Sequence, residues 1–208
     1  MMVVQPSKIV CVGRNYAAHA RELGNEVPKT PMLFFKPSSA LIGPGDAIVL
    51  PSVSNQVEYE AEIGVVIGRQ ARKVSADEAM QFVRGFTCAN DVTCRDLQKP
   101  DGQWGRAKGF DTFCPVGPLV AKGLDYETLE IIGRVNGVER QRARSTDMIF
   151  SIPVLIEYIS HIMTLEPGDL VLTGTPEGVG PLAPGDVVEV EIPGVGILSN
   201  PVRGATPE

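Results

Sequence analysis

Histidine is scarce in this chain, with only His19 and His161 in 208 residues. Neither lies near any of the four cysteines, Cys11, Cys88, Cys94 and Cys114, and no two cysteines form a C-x-x-C pair. A zinc framework is therefore not expected, and the thiols read as reduced and structural in a cytoplasmic protein. Basic charge is short as well. Nineteen Lys and Arg against 25 Asp and Glu leave a formal net charge of −6. That balance argues against nucleic acid and anionic membrane as partners, since both require basic faces. No charge block is long enough to form a tail. No run approaches the ~18 apolar residues of a membrane span. The start, M-M-V-V-Q-P-S-K-I-V-C-V-G, lacks the parts of a signal peptide, so no leader is expected. The G-K-[ST] ending of a phosphate loop and the dinucleotide fingerprint are both missing.

Apolar residues make up 43% of the chain, enough for a real core, and no Gly-, Ser- or charge-rich linker divides it. A single domain over residues 1–208 is expected. The turn Pro-Gly-Asp occurs at 44–46, 167–169 and 184–186, each time before a β-rich run. Proline presets φ at the first central position of such a turn and glycine supplies φ > 0 at the second. Asn136-Gly137 between two strand-like runs predicts a two-residue hairpin. Helices are few. Ser75 to Glu78 has the pattern of a capping box and predicts a short helix through about Val83. A second helix is predicted from near Ser151, with Pro153 in its first turn. A third candidate runs from Asn15 to Leu23. The architecture expected is α+β, dominated by β.

The most informative stretch is V-E-Y-E-A-E-I-G-V-V-I-G, in which Glu58, Glu60 and Glu62 stand at every second position. On a strand all three carboxylates leave one face. Like charges at that spacing repel, and burial strengthens the repulsion. A hard divalent cation relieves it, because Mg²⁺ and its relatives take carboxylate oxygens as ligands. The plainer alternative is a solvated, acidic strand face.

Other residues bear on chemistry. His19 and Glu22 are three apart on the candidate helix and share a face. A carboxylate beside a histidine orients a general base, although an exposed helix face is the alternative. His161 follows an apolar helical run and reads as packing near the helix end. Asp91 closes the run F-T-C-A-N-D, where a carboxylate at a strand end is well placed to ligate a metal; a turn or helix cap, with Thr93 and Asp96 as rivals, is the alternative. Arg95 and Gln98 lie one turn further on and could both face a carboxylate ligand or simply solvent. Lys108, in W-G-R-A-K-G-F-D, has little polar company and is either snorkelling or functional. The segment from Thr173 to Gly180, dense in glycine and hydroxyls, could present backbone N–H groups to an anion, or be a plain loop.

Taken in order, these segments resemble the fumarylacetoacetate hydrolase family. The resemblance begins at V-G-R-N-Y-A-A-H-A-R-E-L-G and runs through F-F-K-P-S-S-A, E-Y-E-A-E-I-G-V-V-I-G and A-N-D-V-T-C-R-D-L-Q. It continues in G-R-A-K-G-F-D, V-N-G-V-E-R-Q and D-M-I-F-S-I-P, and closes with G-D-L-V-L-T-G-T-P-E-G-V-G-P-L. It is nearest to the small single-domain acylpyruvases, a subgroup that includes oxaloacetate decarboxylases. It implies the family's β-rich roll of mixed sheets, a homodimer and a Mg²⁺ or Mn²⁺ ion. The family's metal ligands fall on Glu60, Glu62 and Asp91, which leaves Glu58 outside the set. Its His–Glu dyad falls on His19 and Glu22, and its lysine on Lys108. Arg95, Gln98 and Thr175 match substrate-contacting positions.

The activity the resemblance implies is hydrolysis of a C–C bond in short acylpyruvates such as acetylpyruvate or fumarylpyruvate. His19 would take a proton from water, Lys108 would donate to the oxyanion, and a metal-stabilised pyruvate enolate would leave. The alternatives are decarboxylation, isomerisation or tautomerisation of 2-oxo diacids in aromatic catabolism, with Arg14 and Arg106 as candidate partners for a second carboxylate. A remoter one is a non-catalytic, metal-stabilised β module, against which the His19–Glu22 pair and Lys108 argue.

Overall fold

The strand Ala61–Ile67, A-E-I-G-V-V-I, is buried at every position. It lacks hydrophobic alternation because both of its faces are covered. It lies at the middle of a seven-stranded mixed sheet in the computed structural model, which describes residues 6–22, 24 and 26–205. The strand order is Met32–Lys36, Ile9–Gly13, Leu170–Leu172, Ala61–Ile67, Val83–Asn90, Cys114–Ala121 and Leu41–Ile42. Ile9–Gly13 runs parallel to Leu170–Leu172, whereas Ala61–Ile67 is antiparallel to both of its neighbours. Successive residues of one strand serve different cores, as the period of two requires. Val10 and Val12 join the large cluster that holds Ile156 and Ile159 of the helix Ile152–Ile162, while Ile9 and Cys11 join a smaller cluster with Leu170 and Leu172.

A five-stranded sheet contains the hairpin Glu130–Val135/Val138–Arg144. Its turn residues Asn136 and Gly137 both have positive φ, 53° and 74°, as the Asn-Gly pair predicts. A three-stranded sheet orders Gly180–Pro181, Val57–Tyr59 and Thr93–Cys94. The fold is predominantly β with few short helices, as expected. Among the described residues no helix is long and apolar enough to cross a membrane.

Four local expectations need correction. The acidic strand is not continuous: it stops at Tyr59 and resumes at Ala61, with Glu60 at the break. The helix after Ser75 covers Ala76–Ala79 and passes into a 3-10 turn, Met80–Phe82. The Ser75 hydroxyl meets the Glu78 carboxylate at 3.0 Å and caps no backbone N–H. The first helix is only Ala17–Glu22, and Leu23 lies outside the described residues, as do residues 1–5 of the expected leaderless start. His161 is exposed rather than packed, because it and Ile162 fall on the solvent side of a last turn whose buried side is Ile159 and Ser160.

Candidate active site

The break at Glu60 builds the site. Freed from the ladder, its N–H donates to Asn90 Oδ1 at 3.0 Å and its carbonyl accepts from the Asp91 N–H at 2.8 Å. The neighbouring register, Ala61 against Asn90 and Glu62 against Ala89, therefore sets Glu60 beside Asp91. One carboxylate oxygen each of Glu60, Glu62 and Asp91 lies within 4.8 Å of the others, and all three residues are buried.

Buried cations hold two of these acids. Lys108 Nζ donates to Glu60 Oε2 at 2.7 Å and to Asp91 Oδ2 at 2.6 Å. Arg95 Nη2 donates to Glu60 Oε1 at 2.6 Å. Burial alone would raise the Glu60 pKa, but the Lys108 and Arg95 charges prevail and hold it far below the usual carboxylate range. Burial likewise pulls the Lys108 pKa down, and the Asp91 and Glu60 charges more than reverse that. Glu62 differs. Its contact is the Gly174 N–H at 2.8 Å, and among the described residues no cation is bonded to it. Burial and then repulsion from Asp91 and Glu60 push its pKa well above the ordinary value. Three hard oxygen donors, one without a counter-charge, fit a divalent ion such as Mg²⁺ or Mn²⁺.

His19 shares a cavity with this cluster and comes from the short N-terminal helix, with Glu22 beside it. His19 Nδ1 lies 3.2 Å from Glu22 Oε2, and Glu22 Oε1 accepts from the Gly178 N–H at 3.0 Å. A carboxylate at Nδ1 fixes the proton there and leaves Nε2 as the basic nitrogen. The glycine-rich segment thus presents N–H groups to anions as its composition suggested, but these anions are the protein's own Glu62 and Glu22. Of the nine site residues that the family resemblance implied, all but Glu22 line one cavity of about 400 Å³. Glu22 lines a wider outer cleft of about 1240 Å³, which shares Arg14, Arg95, Gln98 and Trp104 with the inner one.

Several side chains are deployed differently from the sequence reading. Glu58 is occupied by Arg95 Nε at 2.7 Å and Gln56 at 2.8 Å. The Thr175 hydroxyl spends its proton on the Ala61 carbonyl and accepts from Gln141, so a ligand finds there an acceptor or backbone atom, not an O–H donor. Gln98 gives its oxygen to Arg95 Nη1 at 2.6 Å, which leaves its NH₂ for the cleft. Arg106 forms a fork with Asp101 at the surface and lines neither cavity, whereas Arg14 lines both. Asp96 accepts from Ser54 and Asn55 away from the trio, and Thr93 donates to the Asp91 carbonyl.

Lys36 was missed. It donates to Asp91 Oδ1 at 2.6 Å and the Val92 carbonyl at 3.0 Å, fully buried. The signal was a lone lysine ending the apolar strand M-L-F-F-K before Pro37. Trp104 and Phe34, 5.2 Å apart edge to face, wall the same cavity.

The pattern described as Fumarylacetoacetate (FAA) hydrolase C-terminal matches residues 8–203. The chain belongs to the fumarylacetoacetate hydrolase family. Within the family it is 47% identical to the mitochondrial oxaloacetate tautomerase of Arabidopsis thaliana, over 93% of this chain and 90% of that protein. The crystal structure of 5-carboxymethyl-2-hydroxymuconate delta-isomerase from Mycobacterium smegmatis superposes with a TM-score of 0.92 at 48% identity, covering 98% of this chain and 81% of that one. Fumarylpyruvate hydrolase from Pseudomonas aeruginosa, solved with Mn²⁺ and pyruvate, has a TM-score of 0.91 at 35% identity, covering 97% and 91%. Members of the family so similar to this chain thus carry names from different reaction classes.

Proposed function

We propose that this chain is a divalent-metal-dependent enzyme of 2-oxo acids that hydrolyses the C–C bond of short acylpyruvates. The observation that supports this most is the placement of His19, held by Glu22, and a buried carboxylate trio around one cavity. Glu60, Glu62 and Asp91 would hold a Mg²⁺ or Mn²⁺ ion, which would supply Lewis-acid charge to a 2-oxo acid in the cavity. His19 Nε2 takes a proton from water as the water oxygen bonds to the acyl carbon. The C–C bond then breaks, its electron pair goes to the pyruvyl carbon, and that carbon takes up a proton to give pyruvate. Lys108 uses two of its three N–H groups on Glu60 and Asp91, and the third is available to the acyl oxyanion. Gln98 and Arg95 have N–H groups left for the substrate carboxylate.

The second reading is tautomerisation or decarboxylation of a 2-oxo diacid. It is favoured by the 47% identical relative named an oxaloacetate tautomerase. Tautomerisation needs the same proton carrier, His19, and no attacking water. A homodimer belongs to the proposal on family grounds and is read by light scattering.

Turnover of acetylpyruvate, fumarylpyruvate and oxaloacetate, with Mg²⁺, Mn²⁺ or a chelator, separates the readings by product. The hydrolase predicts pyruvate plus the acyl acid, lost on chelation. His19→Ala should abolish that cleavage and leave Mn²⁺ binding by calorimetry unchanged. Oxaloacetate enol–keto exchange as the sole activity replaces the first reading with the second.

A further inference from the structure

We propose that Tyr59 is a positioning residue for the His19 base, acting through the main chain of Gly178. The inference rests on the reading of His19 as the proton carrier. Tyr59 ends the strand Val57–Tyr59, so its side chain leaves the opposite face from that of Glu58. Its hydroxyl donates to the Gly178 carbonyl at 2.9 Å. The N–H of that same residue holds Glu22 Oε1 at 3.0 Å, and Glu22 Oε2 faces His19 Nδ1 at 3.2 Å. The two bonds hold the peptide planes on either side of the Gly178 Cα, and so the residue whose N–H orients Glu22.

The surroundings lock this path. Gly178 has φ +94°, and a Cβ there would sit 2.0 Å from the Arg140 carbonyl, so no other residue fits. Gly180 pairs with Tyr59 across the strands, and a Cβ there would lie 3.3 Å from the tyrosine oxygen. The ring therefore lies against glycines and is only 4% exposed. Through this path the segment that carries the metal-ligating acids also sets the base opposite them.

Tyr59→Phe in the full chain is the test. In the wild type without substrate, the imidazole nitrogen resonances of His19 should report a single tautomer with the proton on Nδ1. His161, the other histidine, is exposed and easily told apart. The variant should show mixed tautomers with unchanged Mn²⁺ affinity. Its kcat should fall about tenfold with KM within about twofold, the loss from one oriented hydrogen bond felt in the transition state. Combined with Glu22→Gln it should cost nothing further, because both changes cut one path. An unaltered His19 spectrum, or losses that add with Glu22→Gln, overturns the proposal. If no 2-oxo acid turns over, the spectrum alone decides it, so failure of the functional reading and failure of the positioning path are told apart.

Discussion

At the residue scale, Asp91 shows how narrowly the site is balanced. Its two oxygens are bonded by two different ammonium groups, Lys36 and Lys108, and none of the three side chains is more than 2% exposed. Removing one partner of a buried ion pair typically costs about 3–5 kcal/mol, because the other charge stays desolvated. Lys36→Met keeps the side-chain volume and removes the charge. It should lower stability in denaturant titrations by about 3 kcal/mol, and Mn²⁺ should recover part of that. A Lys36→Met protein as stable as its parent would mean that Lys108 alone neutralises Asp91. Sequence showed the acids and not this lysine. Glu60 and Glu62 announce themselves by alternation within one strand, whereas Lys36 reaches Asp91 across 55 positions of chain. Glu58 misled for the converse reason: alternation placed it with Glu60 and Glu62, and only the fold delivers Arg95 to claim it.

At the element scale, the three Pro-Gly-Asp turns were legible because their chemistry is local. Gly45, Gly168 and Gly185 have φ of 82°, 93° and 97°, as the second central position requires. Each aspartate then closes its own turn, since Asp46, Asp169 and Asp186 accept at 2.8 Å from the N–H three residues before. Asp169 does more. It also accepts from the Ser7 and Lys8 N–H groups and the Ser7 hydroxyl and pairs with Lys8, which pins the chain entering Ile9–Gly13. Burial would raise its pKa, but the Lys8 and backbone donors win and lower it. A carboxylate depressed in the folded state adds stability above its unfolded value of about 3.9, and that stability is lost as pH falls through the folded pKa. Asp169→Asn should therefore cost about 2 kcal/mol at pH 7 and less near pH 3, read by thermal unfolding at both. Asp46→Asn, on an exposed turn without that pair, should cost clearly less. Equal losses at both positions would reduce Asp169 to turn closure alone. Helix ends were less legible, because Ser75 carries a capping pattern yet bonds a side chain.

At the scale of the molecule, the site joins strands that no local pattern relates. Four buried carboxylates, Glu58, Glu60, Glu62 and Asp91, meet three buried cations, Lys36, Arg95 and Lys108. Counted as ionised, the acids leave one negative charge over, and its natural address is Glu62, which among the described residues has only a backbone N–H as partner. A bound divalent ion would turn that excess into one positive charge, which the carboxylate of the 2-oxo acid proposed above would cancel. On the proposed function, Glu62 is an acid left uncompensated among the described residues for the sake of metal binding, a trade of stability for function. Glu62→Gln isolates it. The amide oxygen can keep the Gly174 N–H, and the NH₂ gains Glu60 or Asp91 as acceptors in place of repulsion. The metal-free variant should be more stable than wild type by about 1–2 kcal/mol, a rise in Tm of about 3–6 °C for a chain this long. Mn²⁺ at a hundred times its Kd should add about 2.7 kcal/mol to the wild type and nothing to the variant. The two unfolding curves would then exchange order on adding the ion. If Glu62→Gln instead unfolds first in chelator, Glu62 is compensated by a group outside this cluster, and the carboxylate trio ceases to be a site that the fold keeps short of charge.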